Sequence, residues 1–419
     1  MGSSGTIKSM LQLVGGNVLS QIIVFAAIPL LSRVYSPADF GVAGEFMAVA
    51  GMLMVVACLR YESSILLSDD GDVSKTFGLS IVSGGVLSVF TLLSVLLLML
   101  WSSWTNRDFS AHWLLLPLFI ISNSFILAAR YRYTRDANYG VQIKSNVIRS
   151  IVLVATQLLI GLVLVSGLGL ILGQVVAICL CAMYLCYTLY RGDRDFYSLE
   201  KDGLATLAQR YKHFLFFGVP QTMCSAAGYF LPVILLGVYY SDAIIGVYFM
   251  LIKLMTKPLQ IVSDAVRRVL MNKFSKQLRS DSAGLWGAMI SWSLVLGGVA
   301  GFIFVPFGLY GADLVIWVLG DEWADVRALV PWFCLLMIGS MLQLPSSICL
   351  QLLERQKLLM FIDAGSLVMR SCCIVLLGGI LLGEDVIKCL CLIGFITYLL
   401  MLVIAARVAS KTTSDGECD

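Results

Sequence analysis

The 419 residues are 59% apolar and only 13% charged, with a mean hydropathy of +0.90. A soluble domain carries roughly 25% charged residues, so these charges are too few to clothe a water-soluble enzyme of this length. The formal charge of +3 is small, and where the charges fall says more than their sum.

A helix crosses the hydrocarbon core with ~20 mostly apolar residues. Runs of that kind predict an all-α polytopic membrane protein with about twelve spans, near 11–32, 40–60, 77–101, 112–130, 147–166, 169–190, 214–238, 244–266, 286–310, 329–353, 358–382 and 387–407. The first run has no small-residue cleavage site behind it and is expected to remain as a span. With the N-terminus cytoplasmic, 22 of the 29 Lys and Arg fall in cytoplasmic segments and 4 outside, while Lys253, Lys257 and Arg370 lie within spans. The positive-inside rule therefore predicts both termini in the cytoplasm. The connections are short, and the longest outer one is expected at about 311–328.

Span 1 carries Asn17 and Gln21 four residues apart, then Pro29 and the sequence Ser32-Arg33-Val34-Tyr35-Ser36. Span 7 repeats that ending around Pro232, with Val238-Tyr239-Tyr240-Ser241, at an offset of 203 residues. Six spans per half make a parallel duplication. The expected lobes are 1–213, with spans 1–6 and a cytoplasmic linker, and 214–419, with spans 7–12 and a short tail. Two six-helix lobes suit alternating access around a cavity between them.

A charge at the bilayer centre costs ~2.5–3.5 kcal/mol on insertion scales and therefore faces the bundle interior or water. Span 2 ends at Arg60-Tyr61-Glu62. Arg33 and Arg60 read either as cavity residues or as snorkelling side chains, and Arg60 with Glu62 also reads as a local pair. On span 8, Lys253, Lys257, Gln260, Asp264 and Arg267 recur at intervals of 4, 3, 4 and 3, which places them on one helical face. They read as a basic cavity stripe, or as an internal ion pair of Lys257 with Asp264. Asp363 and Arg370 on span 11 read first as a structural ion pair. Gly320-Asp321-Glu322-Trp323 reads as an interfacial loop with an aromatic anchor. The basic segments 130–149 and 191–212 are explained by positive-inside bias and attract anionic lipid headgroups, without nucleic acid. The twelve cysteines form no disulfide or metal pattern and read as small apolar residues. His112 and His213 read as interface residues. No catalytic or nucleotide-binding motif is present, so no cofactor or metal is expected.

The segment Leu31-Ser32-Arg33-Val34-Tyr35-Ser36-Pro37-Ala38-Asp39-Phe40-Gly41, followed by Leu59-Arg60-Tyr61-Glu62-Ser63-Ser64-Ile65-Leu66-Leu67, resembles the opening of the bacterial polysaccharide-export family that includes the O-antigen flippases. Gly320-Asp321-Glu322-Trp323, Pro345-Ser346 and Glu354-Arg355-Gln356 resemble its second half. That family belongs to the multidrug/oligosaccharidyl-lipid/polysaccharide (MOP) superfamily. The resemblance implies a non-enzymatic transporter of the bacterial inner membrane. Its substrate would be an undecaprenyl-diphosphate-linked oligosaccharide, moved from the cytoplasmic to the outer leaflet. A polysaccharide polymerase and a chain-length regulator are the implied partners. Arg33, Arg60 and Lys257 match basic positions on which related lipid-II flippases depend, and Asp39 and Glu62 match acidic neighbours. The departure is lysine rather than arginine on span 8. Together these readings give a diphosphate site of Arg33, Arg60, Lys253 and Lys257. Asn17, Gln21, Asp39, Glu62 and Asp264 stand as supporting or coupling residues, with H+, Na+ or the membrane potential as the driving force. The rivals are a multidrug/cation antiporter of the same fold, which would favour carboxylates in its cavity, a membrane polysaccharide polymerase or ligase, which would carry a large outer loop, and a scaffold for a glycan-assembly complex.

Overall fold

Lipid offers the backbone no hydrogen-bond partners, so a spanning chain satisfies its own, and helices do so segment by segment. The computed structural model describes residues 3–105, 110–192, 207, 209–210, 219–280 and 284–415, and all regular structure among them is helical. Among the described residues eleven helices are long and apolar enough to cross a membrane, and Ala226–Tyr239 is a shorter apolar one. That shorter one belongs to the helix Val219–Tyr239, where the seventh span is expected. The chain is a multi-pass membrane protein with its large apolar side chains turned outward, Val86, Leu97, Phe302, Leu309 and Leu382 among them. In water such a surface would aggregate; in lipid it is the solvent-facing one. By internal contacts the chain divides into Met1–Ala226 and Ala227–Asp419.

In the N-terminal unit, α1 (Ser3–Ala26) and α2 (Ile28–Val34) meet at Ala27, just before Pro29. Proline lacks the N–H and its ring crowds the preceding turn, which breaks the helix there. Then follow α3 (Pro37–Ala57), α4 (Tyr61–Ser64), α5 (Val73–Thr105), α6 (Leu116–Arg135), α7 (Tyr139–Gly161) and α8 (Gly167–Gly192). The C-terminal unit holds most of α9 (Val219–Tyr239), then α10 (Asp242–Leu251), α11 (Lys257–Ser280), α12 (Gly284–Leu319), α13 (Val330–Leu352), α14 (Gln356–Leu377) and α15 (Gly383–Asp415). A π-helical turn, Ile252–Thr256, joins α10 to α11. The core of this unit is built on Phe274, Met289, Ile348, Leu350 and Ala405, with Leu259 and Val266 packed against it.

Both units build the same corner. Tyr35, just after α2, is buried and donates its hydroxyl to the Gln157 carbonyl at 2.8 Å. Gly161 and Gly169, on either side of the α7–α8 turn, make room for it: a Cβ at either would come within 3.0 Å of the Tyr35 ring or hydroxyl. In the second unit Tyr240 donates to the Leu381 carbonyl at 3.2 Å. Gly378 and Gly383, flanking the α14–α15 turn, lie as tightly against Tyr239 and Tyr240. A tyrosine wedge on a glycine pair thus closes the first connection of each half.

Several expectations shift. The basic segment 130–149 is not a loop: α6 runs through Arg135, α7 begins at Tyr139, and only residues 136–138 intervene. Arg149 therefore lies well inside a membrane helix. The outer connection at 311–328 is also largely helical, because α12 continues its apolar run to Leu319 and a 3-10 stretch, Asp321–Ala328, follows. Trp323 is fully buried rather than an interfacial anchor. Gly320, at φ 106°, turns the chain so that the indole points inward. His112 joins an aromatic cluster with Phe46, edge-on at 6.3 Å between centroids, and Trp113, tilted at 5.1 Å, and those two rings also touch each other. His213 and most of the 191–212 linker lie outside the described residues.

Candidate functional site

The span-8 stripe begins at an irregularity. Pro258 cannot donate to the carbonyl four residues earlier, and the helix widens into the π turn immediately before it. Such turns are rare and concentrate at functional sites. Lys253 lies in that turn and Lys257 follows it. Lys253 Nζ sits 5.3 Å from the Phe249 ring centre and Lys257 Nζ 5.9 Å from that of Tyr229, within cation–π range. Lys253 is half-buried, whereas Lys257, Gln260 and Asp264 are exposed. The opposite face, Ile252, Met255, Leu259 and Val266, packs inward, and only Val262 departs from it by being exposed. No ion pair joins Lys257 to Asp264 among the described residues. Likewise, Asp363 and Arg370 lie within electrostatic reach of one another without forming a salt bridge.

Arg33 is exposed at the end of α2. Arg60 is held differently. Leu59 and Arg60 have φ of 50° and 63°, two consecutive non-glycine residues in the left-handed region. That backbone is strained and persists only where its surroundings enforce it. Glu62, two residues on, is 4% exposed, and its Oε2 and the Arg60 Nε are both buried without hydrogen-bond partners. Burial pushes the Glu62 carboxyl above its ordinary range, against its own backbone hydrogen bond and the Arg60 charge. Next to it, burial and the Glu62 charge lift the Cys58 thiol to about 12.

Asp39 serves the backbone. Its Oδ2 accepts from the Ser36 N–H at 2.9 Å and the Ser36 hydroxyl at 2.7 Å, while the Asp39 N–H donates to Ser36 Oγ at 3.3 Å. This is a capping box at the start of α3, with Pro37 in the first turn. Gln21 is exposed. Asn17 joins residues that sequence reasoning passed over: its Oδ1 accepts from Asn146 Nδ2 at 2.7 Å, and Asn146 Oδ1 in turn accepts from Arg130 Nη2. The signal was available, because Gln142, Asn146 and Arg149 recur at intervals of four and three, the same spacing that marks span 8. Among the described residues no cluster of three or more His, Cys, Asp or Glu could hold a metal.

The fold has relatives among solved structures. Solved structures similar to the chain include an inward-facing multidrug resistance MATE transporter of the MOP superfamily, with a TM-score of 0.73 and 11% identity over 93% of this chain and 95% of that one. The lipid II flippase MurJ in an inward closed conformation matches at 0.65 and 10%, over 96% and 90%. A MOP transporter from Pyrococcus furiosus, described as having a binding pocket of reverse polarity, matches at 0.59 and 12%, over 97% and 96%. No curated protein matches the sequence. The family model described as "Polysaccharide biosynthesis protein" matches residues 30–328, from the Arg33 corner through the Trp323 turn. That is well over half of the chain, which thus belongs to the polysaccharide biosynthesis protein family, on a MOP-superfamily fold.

Proposed function

We propose that the protein is a flippase for an undecaprenyl-diphosphate-linked oligosaccharide, an O-antigen or similar surface-polysaccharide repeat unit, carried from the cytoplasmic to the outer leaflet of the bacterial inner membrane. The observation that carries this reading is the Lys253–Lys257 pair. Two lysines four residues apart, one in a π turn and one just after it, lie within a membrane helix, each ammonium group near an aromatic ring. The chain comes from a polysaccharide biosynthesis family.

The diphosphate is the part of such a substrate that the hydrocarbon core rejects. Cationic side chains replace its water and counterions, the glycan needs a wet cleft, and the prenyl chain remains in lipid. Arg33, Arg60, Lys253 and Lys257 are the proposed diphosphate ligands. Lysine binds phosphate as a point charge, where arginine would add a bidentate fork. An inside-negative potential favours outward movement of the anion by ~2.3 kcal/mol per charge per 100 mV. A drug/cation antiporter would present carboxylates to its cargo, which the Lys253–Lys257 pair does not.

The test is Lys257→Ala in cells that depend on this protein for surface polysaccharide. Surface polysaccharide is expected to fall at least tenfold and single lipid-linked repeat units to accumulate inside, with the protein still in the membrane; Lys257→Arg is expected to retain export. Normal surface polysaccharide in Lys257→Ala would remove that residue from the site. Drug resistance on overexpression without any export defect would favour the antiporter.

A further inference from the structure

Helix α1 shows two exposed faces of opposite character. Leu19 and Ile22 are 50% and 56% exposed, and Ala26 is exposed with them. Asn17 and Gln21 are exposed as well. At about 100° per residue, Leu19, Ile22 and Ala26 lie roughly 140–200° around the helix from Asn17, whereas Gln21 lies roughly 40° from it. Phe25 stands at the border. Gly16 and Ser20 are buried, and Gly16 is pressed against α7, where a Cβ would come 2.4 Å from an Ile143 methyl group. The apolar face is the one that lipid solvates. An amide turned to hydrocarbon would leave its donors and acceptor unsatisfied, so the face of Asn17 and Gln21 looks onto water.

Asn17 is held from behind. Its Oδ1 accepts from Asn146 Nδ2 on α7 at 2.7 Å, and Asn146 Oδ1 accepts from Arg130 Nη2 on α6. Arg130 is anchored in turn, since Gln142 Nε2 donates to the Arg130 carbonyl and to Thr134 Oγ1, both at 2.9 Å. This chain of bonds has a direction. A guanidinium only donates and is not deprotonated in proteins. It therefore holds Asn146 with its oxygen toward α6 and its N–H pair toward α1, and Asn17 must meet that pair with its own oxygen. The Asn17 amide nitrogen makes no hydrogen bond among the described residues, which leaves its two N–H groups to the watery side. An unanchored asparagine offers a ligand either end of its amide; this one offers donors. The donors are uncharged, and the guanidinium behind them is engaged with Asn146. Such a site suits a neutral oxygen acceptor better than a phosphate, which takes its strongest bonds from ionised donors.

We propose that Asn17, with Gln21 one turn on, is a glycan subsite that donates hydrogen bonds to neutral sugar oxygens (hydroxyl, ring or N-acetyl carbonyl), and that Asn146 and Arg130 are positioning residues that hold Asn17 in the donating orientation. The site rests on the flippase reading for its ligand. It contacts the sugar end of that substrate and uses none of the four cations proposed for the diphosphate.

The experiment uses the full chain in nanodiscs and two probes: lipid-linked repeat units extracted from cells that depend on the protein, and undecaprenyl diphosphate bearing no sugar. Affinities for both, and the ligand-free Tm, are measured for wild type, Asn17→Asp, Asn146→Asp and Lys257→Ala. Wild type should prefer the glycan-bearing lipid. Asn17→Asp keeps an oxygen for Asn146 Nδ2 and replaces the outward N–H pair by an acceptor, so the preference should fall at least fivefold. Asn146→Asp turns the Asn17 amide without altering it. The new carboxylate accepts from Arg130 and shows its second oxygen to Asn17, which then donates inward and turns its own oxygen outward. The preference should fall by a similar factor while the Tm is unchanged or higher, because the guanidinium has gained an ionised acceptor. Lys257→Ala should weaken both lipids and keep the preference. Equal binding of the two lipids by wild type would end the glycan subsite and leave the flippase reading standing. An undiminished preference in either Asn17→Asp or Asn146→Asp would do the same, and so would a lowered Tm with both affinities reduced in proportion, the mark of a structural role. A wild type that binds neither lipid would end the flippase reading and the subsite with it.

Discussion

Glu62 is buried two residues from a pair of left-handed backbone conformations, with a carboxylate oxygen that no donor satisfies. Because burial raises its folded-state pKa, the folded protein holds this proton at pH values where the unfolded chain has lost it. Stability then falls as pH rises from the ordinary carboxylate pKa through the raised one and levels off above it. Glu62→Gln is accordingly expected to melt a few degrees higher than wild type at pH 7, with the difference closing near pH 4. Thermal unfolding in detergent across that range checks it, and a lower Tm for Glu62→Gln at pH 7 would mean that the ionised carboxylate stabilises the turn. Arg60 and Glu62 are readable as neighbours from their spacing. The burial of Glu62 is not, because burial is set by residues distant in the chain, such as Leu207, which packs with the neighbouring Tyr61. Asp39 shows the same limit from the other side: its acidity suggested coupling, and its geometry shows a capping box.

The membrane helix α10–π–α11 is where local sequence and local structure agree most closely. The polar stripe was legible from its spacing because a helix in lipid sorts polar and apolar residues to opposite faces. The π turn was not, since a proline in a membrane helix is met by a kink, a widened turn or a new donor to the carbonyl it leaves unpaired, and the surrounding packing selects among them. A π turn adds a residue to one turn of helix and an α-helix turns about 100° per residue, so restoring regular α-helix there would rotate α10, with Phe249 beside Lys253, by roughly that angle relative to α11. Pro258→Ala is therefore expected to leave membrane insertion intact and reduce polysaccharide export about tenfold. Export at the wild-type rate in cells expressing Pro258→Ala at normal levels would show that the π turn is dispensable. Along α6 and α7 the limit was different. Arg130, Arg132, Arg135, Lys144 and Arg149 look like a basic loop when charges alone set the boundary, yet intrahelical hydrogen bonds carry both helices through them.

Across the whole chain, the glycine-backed tyrosine corners at Tyr35 and at Tyr239–Tyr240 give the duplication a structural basis that short apolar matches alone lack. The charge asymmetry makes a topological prediction. In an otherwise cysteine-free protein, Asp321→Cys should be labelled by a membrane-impermeant thiol reagent on intact spheroplasts, and Lys75→Cys only after permeabilisation. The reverse pattern would invert the proposed orientation.

Composition and hydropathy by themselves determined that this is a helical, multi-pass membrane protein, because apolar runs of ~20 residues are the length of spanning helices rather than of barrel strands, and helices satisfy their own backbone in lipid. The spacing of charges along single helices determined which faces are polar. The tertiary structure alone decided which charges meet. Arg130, Asn146 and Asn17 lie on three different helices, and only packing brings them into one chain of hydrogen bonds. Packing also decided that Trp323 is core, since burial is a property of neighbours that the local sequence does not contain; the Asp39 capping box, by contrast, is made with Ser36 three residues away and is local.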